Sequence, residues 1–139
     1  MLDRLTSTLN FQTEALVLRS ERQRLLASNI ANADTPGYVA RDMDFAAALR
    51  QAVGAGAGGG PGAAAVVATT APGHISNTVN GRAPVELKYA QPAQTNLDSN
   101  SVDMDRERAN FTDNTVRYEA TLRFINGSVK TMLSAITGQ

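Results

Sequence analysis

The C-terminal segment, residues 101–139, carries the most regular hydrophobic pattern in the chain. Its apolar side chains recur in alternating steps of four and three residues over more than four heptads. This period is typical of a helix that packs its apolar face against other helices in a coiled coil. Eight apolar positions form what we call the C-terminal seam: Met104, Phe111, Tyr118, Leu122, Ile125, Val129, Met132 and Ile136.

Signals at both ends delimit this helix. Ser101 is expected to be its N-cap, because a serine hydroxyl can accept a hydrogen bond from an N–H of the first turn. Asp103 and Asp105 would stabilise the positive end of the helix dipole. Gly138 is expected to end the helix, since glycine readily adopts the left-handed conformation of a C-terminal cap.

The first 34 residues repeat the same spacing more weakly. The positions of this N-terminal seam are Leu2, Leu5, Leu9, Gln12, Leu16, Arg19, Gln23, Leu26, Ile30 and Ala33. Pro36 is expected to close this second helix, because proline disfavours the α conformation of the residue before it and has no N–H. Thr35-Pro36-Gly37-Tyr38 then predicts a tight turn in which Gly37 takes a positive φ.

The middle of the chain has a different composition. Residues 54–73 include seven Gly, seven Ala and two Pro, so this stretch can bury little apolar area and is expected to be a flexible linker. Thr78-Val79 and the segment from Val85 to Tyr89 have β-type composition, cut by Gly81, Pro84 and Pro92. We expect a short hairpin or a few irregular strands there.

These patterns predict a mainly α fold with three parts. Residues 1–36 form the N-terminal helix and turn, residues 37–100 an irregular, Gly/Ala-rich middle with minor β structure, and residues 101–139 the C-terminal helix. The two terminal helices are expected to form a coiled-coil-like pair or bundle. Their seams could be buried within one chain, but burial between subunits is the favoured interpretation, since a lone hairpin leaves one flank of each seam exposed to water.

Charge and composition exclude several functions. Thirteen Lys plus Arg balance thirteen Asp plus Glu, which argues against nucleic-acid binding. There is no cysteine and one histidine, so thiol chemistry, His clusters and cofactors that need them are not expected. The longest apolar run, Ala63 to Ala68, is far shorter than the ~20 residues of a membrane span. No secretory signal is expected either, because the longest apolar run in the first thirty residues is Ala15 to Leu18.

Two pairs of carboxylates are the remaining candidates for chemistry. Asp42 with Asp44, and Asp103 with Asp105, could bind a hard cation. The second pair falls in the first turn of the C-terminal helix, where acidic residues are stabilising without a metal. The first pair is expected to lie in a linker and to be solvated. We therefore expect no metal site, no catalytic residue and no enzymatic activity.

The junction between the N-terminal helix and its turn carries a recognisable motif. Asn29-Ile30-Ala31-Asn32 followed by Thr35-Pro36-Gly37-Tyr38 resembles the N-terminal signature of bacterial flagellar axial proteins, which form the rod, the hook and hook-associated structures. The segments listed next resemble the proximal rod members of that family: Val102–Asp105, Asp113–Ala120, Phe124–Gly127 and Lys130–Leu133. Amide side chains near a helix end can cap carbonyl groups, so we expect Asn29, Asn32 and Thr35 to fix the geometry between helix and turn.

The resemblance implies a structural subunit of the proximal rod of the flagellar basal body, needed for motility. It implies export through the flagellar type III apparatus without a cleaved signal peptide, and a location in the periplasmic rod. The partners that it implies are copies of the chain, other proximal rod proteins, the MS-ring protein and the adaptor that joins the rod to the export gate. Two rival hypotheses are a cytosolic helical export chaperone or adaptor, and a small enzyme that uses the Asp pairs.

Overall fold

A computed structural model describes residues 2–56, 85–89 and 97–138 of the chain. The fold is mainly helical with a small sheet, as the sequence predicts, and long helices stand at both ends. The elements in chain order are α1 (Leu2–Ala31), β1 (Arg41–Met43), α2 (Phe45–Gly56), β2 (Leu87–Tyr89) and α3 (Met104–Thr137). The Gly/Ala-rich residues 57–73 and the predicted strand at Thr78-Val79 lie outside the described residues.

The helices α1 and α3 form an antiparallel pair. Hydrogen bonds join Asn29 to Glu107 near the C-terminal end of α1, and Gln23 to Thr115 one to two turns further along. Residue numbers therefore fall along α1 as they rise along α3. At 1.5 Å per residue, the 30 residues of α1 span about 45 Å and the 34 residues of α3 about 51 Å. The predicted pairing of the two terminal helices is confirmed within the chain.

The N-cap of α3 lies two residues beyond the predicted one. Asp103 caps the helix, because its side chain accepts hydrogen bonds from the N–H groups of Asp105 and Arg106. The prediction of Ser101 as the cap is wrong, since its hydroxyl instead accepts a hydrogen bond from the N–H of Ala40 at 2.8 Å. The end is as predicted: Gly138 has φ 73° and donates its N–H to the carbonyl of Ser134.

The end of α1 also differs from the prediction. The helix ends at Ala31, five residues before Pro36, so Pro36 does not close it. The Asn32 side chain donates to the Ser28 carbonyl at 2.7 Å, and this bond competes with continued helix. The predicted turn is present: Tyr38 N–H donates to the Thr35 carbonyl, and Gly37 has φ 71°, as a type II turn requires.

The middle of the chain contains a helix that the sequence analysis missed. Asp44 caps α2 through a hydrogen bond from the N–H of Ala47, so the placement of Asp42 to Asp44 in a linker is wrong. Gly54 to Gly56 belong to the last turn of α2 rather than to a linker. The predicted β structure near Val85 to Tyr89 is confirmed, but its partner is β1, in the antiparallel register Arg41↔Tyr89 and Met43↔Leu87.

The hydrophobic core is small and lies at the end of the hairpin where α1 is contacted by α2, β1 and α3. Its buried apolar residues, among those described, are Ala15, Leu18, Leu26, Ala40, Met43, Ala48 and Val102. Three of the seven are alanines, so little apolar area is buried in one chain. The rest of the long hairpin extends away from this core, and several large apolar side chains are exposed along it.

Candidate assembly site

Asn29 connects three elements at the head of the molecule. Its side chain donates to the Arg41 carbonyl at 2.9 Å and accepts from the Arg41 N–H at 3.1 Å, as a residue of a neighbouring strand would. It also donates to Glu107 Oε2 at 3.1 Å and accepts from the Tyr38 hydroxyl at 3.2 Å. The side chain is 1% exposed, and its two donors and two acceptors are all used. Asn29 therefore joins α1, β1 and α3.

The rest of the axial motif forms the turn around Asn29. Thr35 Oγ1 donates to the Asn32 side-chain oxygen at 3.3 Å, and the Tyr38 hydroxyl lies 3.3 Å from the Ser28 hydroxyl. Ile30 is half-buried, whereas Ala31, Pro36 and Gly37 are exposed. Asn29, Asn32 and Thr35 thus make hydrogen bonds within the segment between α1 and β1.

Asn100 is a structural residue that the sequence analysis missed. Its amide nitrogen lies within 3.0 Å of the carbonyl oxygens of Asn32, Ala33 and Thr35, which follow the last turn of α1. Its side-chain oxygen accepts from the Val102 N–H at 2.8 Å. Asn100 thus ties the end of α1 to the start of α3. No local signal in the sequence distinguishes it from an ordinary loop asparagine, because its acceptors lie more than sixty residues away.

Backbone pairing reinforces this connection. The Gly37 N–H donates to the Asp98 carbonyl at 2.8 Å, and the Ser101 N–H donates to the Tyr38 carbonyl at 3.0 Å. The chain leaving α1 and the chain entering α3 therefore run side by side. These two hydrogen bonds hold the chain at the end of α1 close to the chain at the start of α3.

Two arginines of α1 contact the middle of the chain. Arg22 donates to both carboxylate oxygens of Asp42, at 3.0 and 2.7 Å, and this pairing raises the pKa of Arg22. The Arg19 guanidinium lies 4.6 Å from the ring centroid of Phe45, a cation–π contact. Burial and the nearby charge of Arg117 lower the pKa of Arg19. These contacts hold β1 and α2 against α1.

Polar groups also lie inside the α1–α3 interface. Asn114 donates to the Arg19 carbonyl at 2.9 Å and to Gln23 Oε1 at 2.5 Å, while Gln23 Nε2 donates to Thr115 Oγ1 at 2.8 Å. Gln23 is one of the polar positions of the N-terminal seam, and Thr115 is a polar residue four positions after Phe111 and three before Tyr118 of the C-terminal seam. At this point the two seams therefore meet through polar residues.

Most predicted seam residues are only partly covered within one chain. Leu26 is fully buried. Those left half-buried are Leu9, Leu16, Met104, Phe111, Tyr118, Leu122, Ile125 and Met132. Those left exposed are Leu5, Val129 and Ile136, the last at 80%.

Further large apolar side chains outside the seams are exposed on the same two helices. These are Phe11, Val116, Phe124 and Leu133. Val116 and Phe124 share a side of α3 with the small residues Ala109, Ala120 and Gly127 at steps of three, four and seven residues. This second periodicity is a signal that the sequence analysis did not use. An exposed apolar surface of this kind marks an interaction site.

In the described part of the chain, three of the four carboxylates of the two Asp pairs have polar partners of their own. Asp42 binds Arg22, and Asp44 caps α2 and lies 3.0 Å from Lys88 Nζ. Asp103 caps α3, as a first-turn acid does. The described residues contain no group of three or more His, Cys, Asp or Glu side chains placed to hold a metal ion. Their helices include none that is long and apolar enough to cross a bilayer.

Comparison with known proteins identifies the family. Residues 9–38, which include the whole axial motif, match the family model described as flagella basal body rod protein. The chain is 48% identical to flagellar basal body rod protein FlgB of Proteus mirabilis, over 98% of both chains. It is 46% identical to FlgB of Salmonella typhimurium over 99% of both chains, and 46% identical to FlgB of Escherichia coli over 98% of this chain and 97% of the relative. The chain belongs to the FlgB family of flagellar basal body rod proteins.

Proposed function

We propose that the chain is a structural subunit of the proximal rod of the flagellar basal body, and that it assembles through the apolar surfaces of its two terminal helices. One observation carries the proposal: α3 buries polar residues against its own α1 and leaves large apolar side chains exposed. The residues of α3 that are buried are Glu107 and Asn114, whereas Phe124 is 66% exposed and Ile136 is 80% exposed. A helix with this distribution requires neighbours.

The energetics favour burial of these surfaces by other subunits. Complete burial of one large apolar side chain contributes about 1.5–3 kcal/mol. Phe124, Leu133 and Ile136 are 66%, 57% and 80% exposed, so their burial in one interface would contribute roughly 3–6 kcal/mol. The core of a single chain is small and rich in alanine. Assembly is therefore expected to stabilise the part of the hairpin farthest from this core, where α1 begins and α3 ends.

The expected neighbours are copies of the chain and other proximal rod proteins. The MS-ring protein and the adaptor between rod and export gate are expected to contact the ends of the assembly. The subunit acts without catalysis in the periplasmic part of the basal body, and it is exported by the flagellar type III apparatus without a cleaved signal peptide. The similarity to rod proteins along nearly the whole chain favours this role over that of a cytosolic export chaperone.

A charge placed on the exposed face of α3 tests the proposal. Phe124→Asp is expected to leave export intact, because the side chain lies outside the core of the single chain. Incorporation into basal bodies should fall at least tenfold, since a buried unpaired carboxylate costs several kcal/mol. Asn126→Asp, an exposed position on the same helix, is the matched control for added charge.

The assay combines fractionation with purification of basal bodies from cells that carry only the variant. The proposal predicts exported Phe124→Asp protein, basal bodies that lack it, and loss of motility, with normal basal bodies for Asn126→Asp. Normal incorporation of Phe124→Asp would contradict burial of this face between subunits. Retention of the wild-type chain in the cytosol would favour the chaperone hypothesis.

A further inference from the structure

The interface between α1 and α3 is unusual in what it buries. The two buried residues of α3, Glu107 and Asn114, are polar and stand seven residues apart, at the same position of successive heptads. Asn114 is 1% exposed, and so is Asn29, which binds Glu107 from α1. We call these contacts the two polar rungs: Asn29–Glu107, and Gln23 with Asn114 and Thr115.

Polar rungs are costly unless their partners are in place. Burying an amide or carboxylate without hydrogen bonds costs about 1–3 kcal/mol or more. In this register both amide hydrogens of Asn114 find acceptors on α1, although its buried side-chain oxygen has no hydrogen-bond partner among the described residues, and Glu107 accepts from Asn29. A slip of one heptad moves α3 by about 10 Å along α1, which breaks both rungs as they stand and brings a member of one rung to the level of a member of the other.

Pairing between two α3 helices is disfavoured by the same residues. The face of α3 that contains Glu107 and Asn114 otherwise carries Phe111, Tyr118 and Leu122. In a parallel pair in register, two Glu107 carboxylates would meet, and like charges at such a position are destabilising.

We propose that the two polar rungs are specificity determinants, which select pairing of α3 with its own α1 in a single register over slipped pairing and over pairing between α3 helices. Two amphipathic heptad helices would otherwise have several ways to bury their seams. A buried polar residue that fixes register and partner at some cost in stability is known from coiled coils. The inference rests on the geometry of the single chain and does not depend on its role in the rod.

The chain contains no cysteine, so two spin labels can be placed without removing native residues. Arg24→Cys on α1 and Ala109→Cys on α3 occupy exposed positions. The distance between the two spin labels is measured by pulsed electron–electron double resonance on the dilute full-length chain. The molar mass is measured by light scattering. The test variant is Gln23→Leu/Asn114→Leu, which removes two of the three members of one rung and leaves Thr115 in place. Its matched control is Thr13→Leu/Thr131→Leu, since both threonines are exposed.

The wild type and the control are expected to give one label distance at the monomer mass. The rung variant should keep its helical circular dichroism, because replacing a buried polar pair by apolar residues is often neutral or stabilising. It should gain a second distance shifted by up to about 10 Å, or a dimer fraction at least fivefold above that of the wild type. If the rung variant instead keeps the single label distance of the wild type and the monomer mass, the proposal is overturned. Loss of helix in the rung variant, or the same change in the control, would also overturn it.

Discussion

Asn29→Asp is the substitution that tests the head of the molecule most severely. It changes one atom of a buried side chain, replacing the amide nitrogen that donates to the Arg41 carbonyl and to Glu107. The new oxygen would face two acceptors, one of them a carboxylate. The residue keeps its size, so the effect reports hydrogen bonding and charge rather than packing.

The expected decrease in the free energy of unfolding can be estimated from these contacts. Two lost hydrogen bonds cost about 1 kcal/mol each. Two carboxylates within ~4 Å repel by roughly 4 kcal/mol at an effective dielectric constant of 20. A total loss of about 4–6 kcal/mol is a large part of the 5–15 kcal/mol by which a typical domain is stable.

The pH dependence distinguishes repulsion from simple loss of contacts. In the variant the neighbouring carboxylates raise one another's pKa in the folded state. The folded variant then binds more protons than the unfolded chain, so its stability falls as pH rises through the raised pKa and recovers as pH is lowered. The free energy of unfolding of the variant should therefore fall further below that of the wild type at about pH 7.5 than at about pH 5.

Urea unfolding followed by far-ultraviolet circular dichroism measures this difference from the wild type at both pH values. Asn10→Asp, an exposed position on the same helix, is the control and should change the free energy of unfolding by less than about 0.5 kcal/mol. A loss below about 1 kcal/mol for Asn29→Asp, or a difference from the wild type that is independent of pH, would refute the role of Asn29 as the bridge between β1 and α3.

Three smaller changes test other parts of the same region. Asn100→Ala removes the donor to three carbonyl groups and should lower the free energy of unfolding by about 1–3 kcal/mol in urea titrations. Gly37→Ala places a Cβ at φ 71° and should cost about 1 kcal/mol through backbone strain alone, as nothing lies within 4 Å of the added atom. The hydrogen bond from Ala47 N–H and the ion pair with Lys88 lower the pKa of Asp44. Its charge therefore stabilises the fold above the ordinary Asp pKa, and this contribution is lost as pH falls. Acid titrations should show Asp44→Asn, which keeps the cap, converging with the wild type once the pH falls below the lowered pKa of Asp44.

The sequence predicts the long helices well because their signals are local. Heptad spacing and Gly138 locate most of α3 without knowledge of the rest of the chain. The exact N-cap was not predictable, since Ser101 and Asp103 are both good cap residues. The choice depends on the Ala40 N–H, which reaches Ser101 from 61 residues away.

The small elements and the polar contacts could not be predicted for the same reason. The strand β1 has three residues, two of them charged, and it is held by β2 and by the Asn29 side chain. The helix α2 ends in Gly and Ala residues that continue into a segment of the same composition, so no boundary was visible. In the sequence, Gln23 is only a polar position of the N-terminal seam and Thr115 only a polar residue between two apolar seam positions, because their mutual hydrogen bond exists only once the helices pair.

Hydrogen–deuterium exchange of the far half of α3, residues 119–137, is the most direct test of burial by neighbouring subunits. Peptides from this segment are compared between the dilute free chain and basal bodies that have been purified intact. Our account predicts that their amides exchange at least a hundredfold more slowly in basal bodies, while amides near the buried Leu26 change much less. Equal protection of residues 119–137 in the two states would mean that the exposed apolar residues of α3 stay in water after assembly, which would contradict the account.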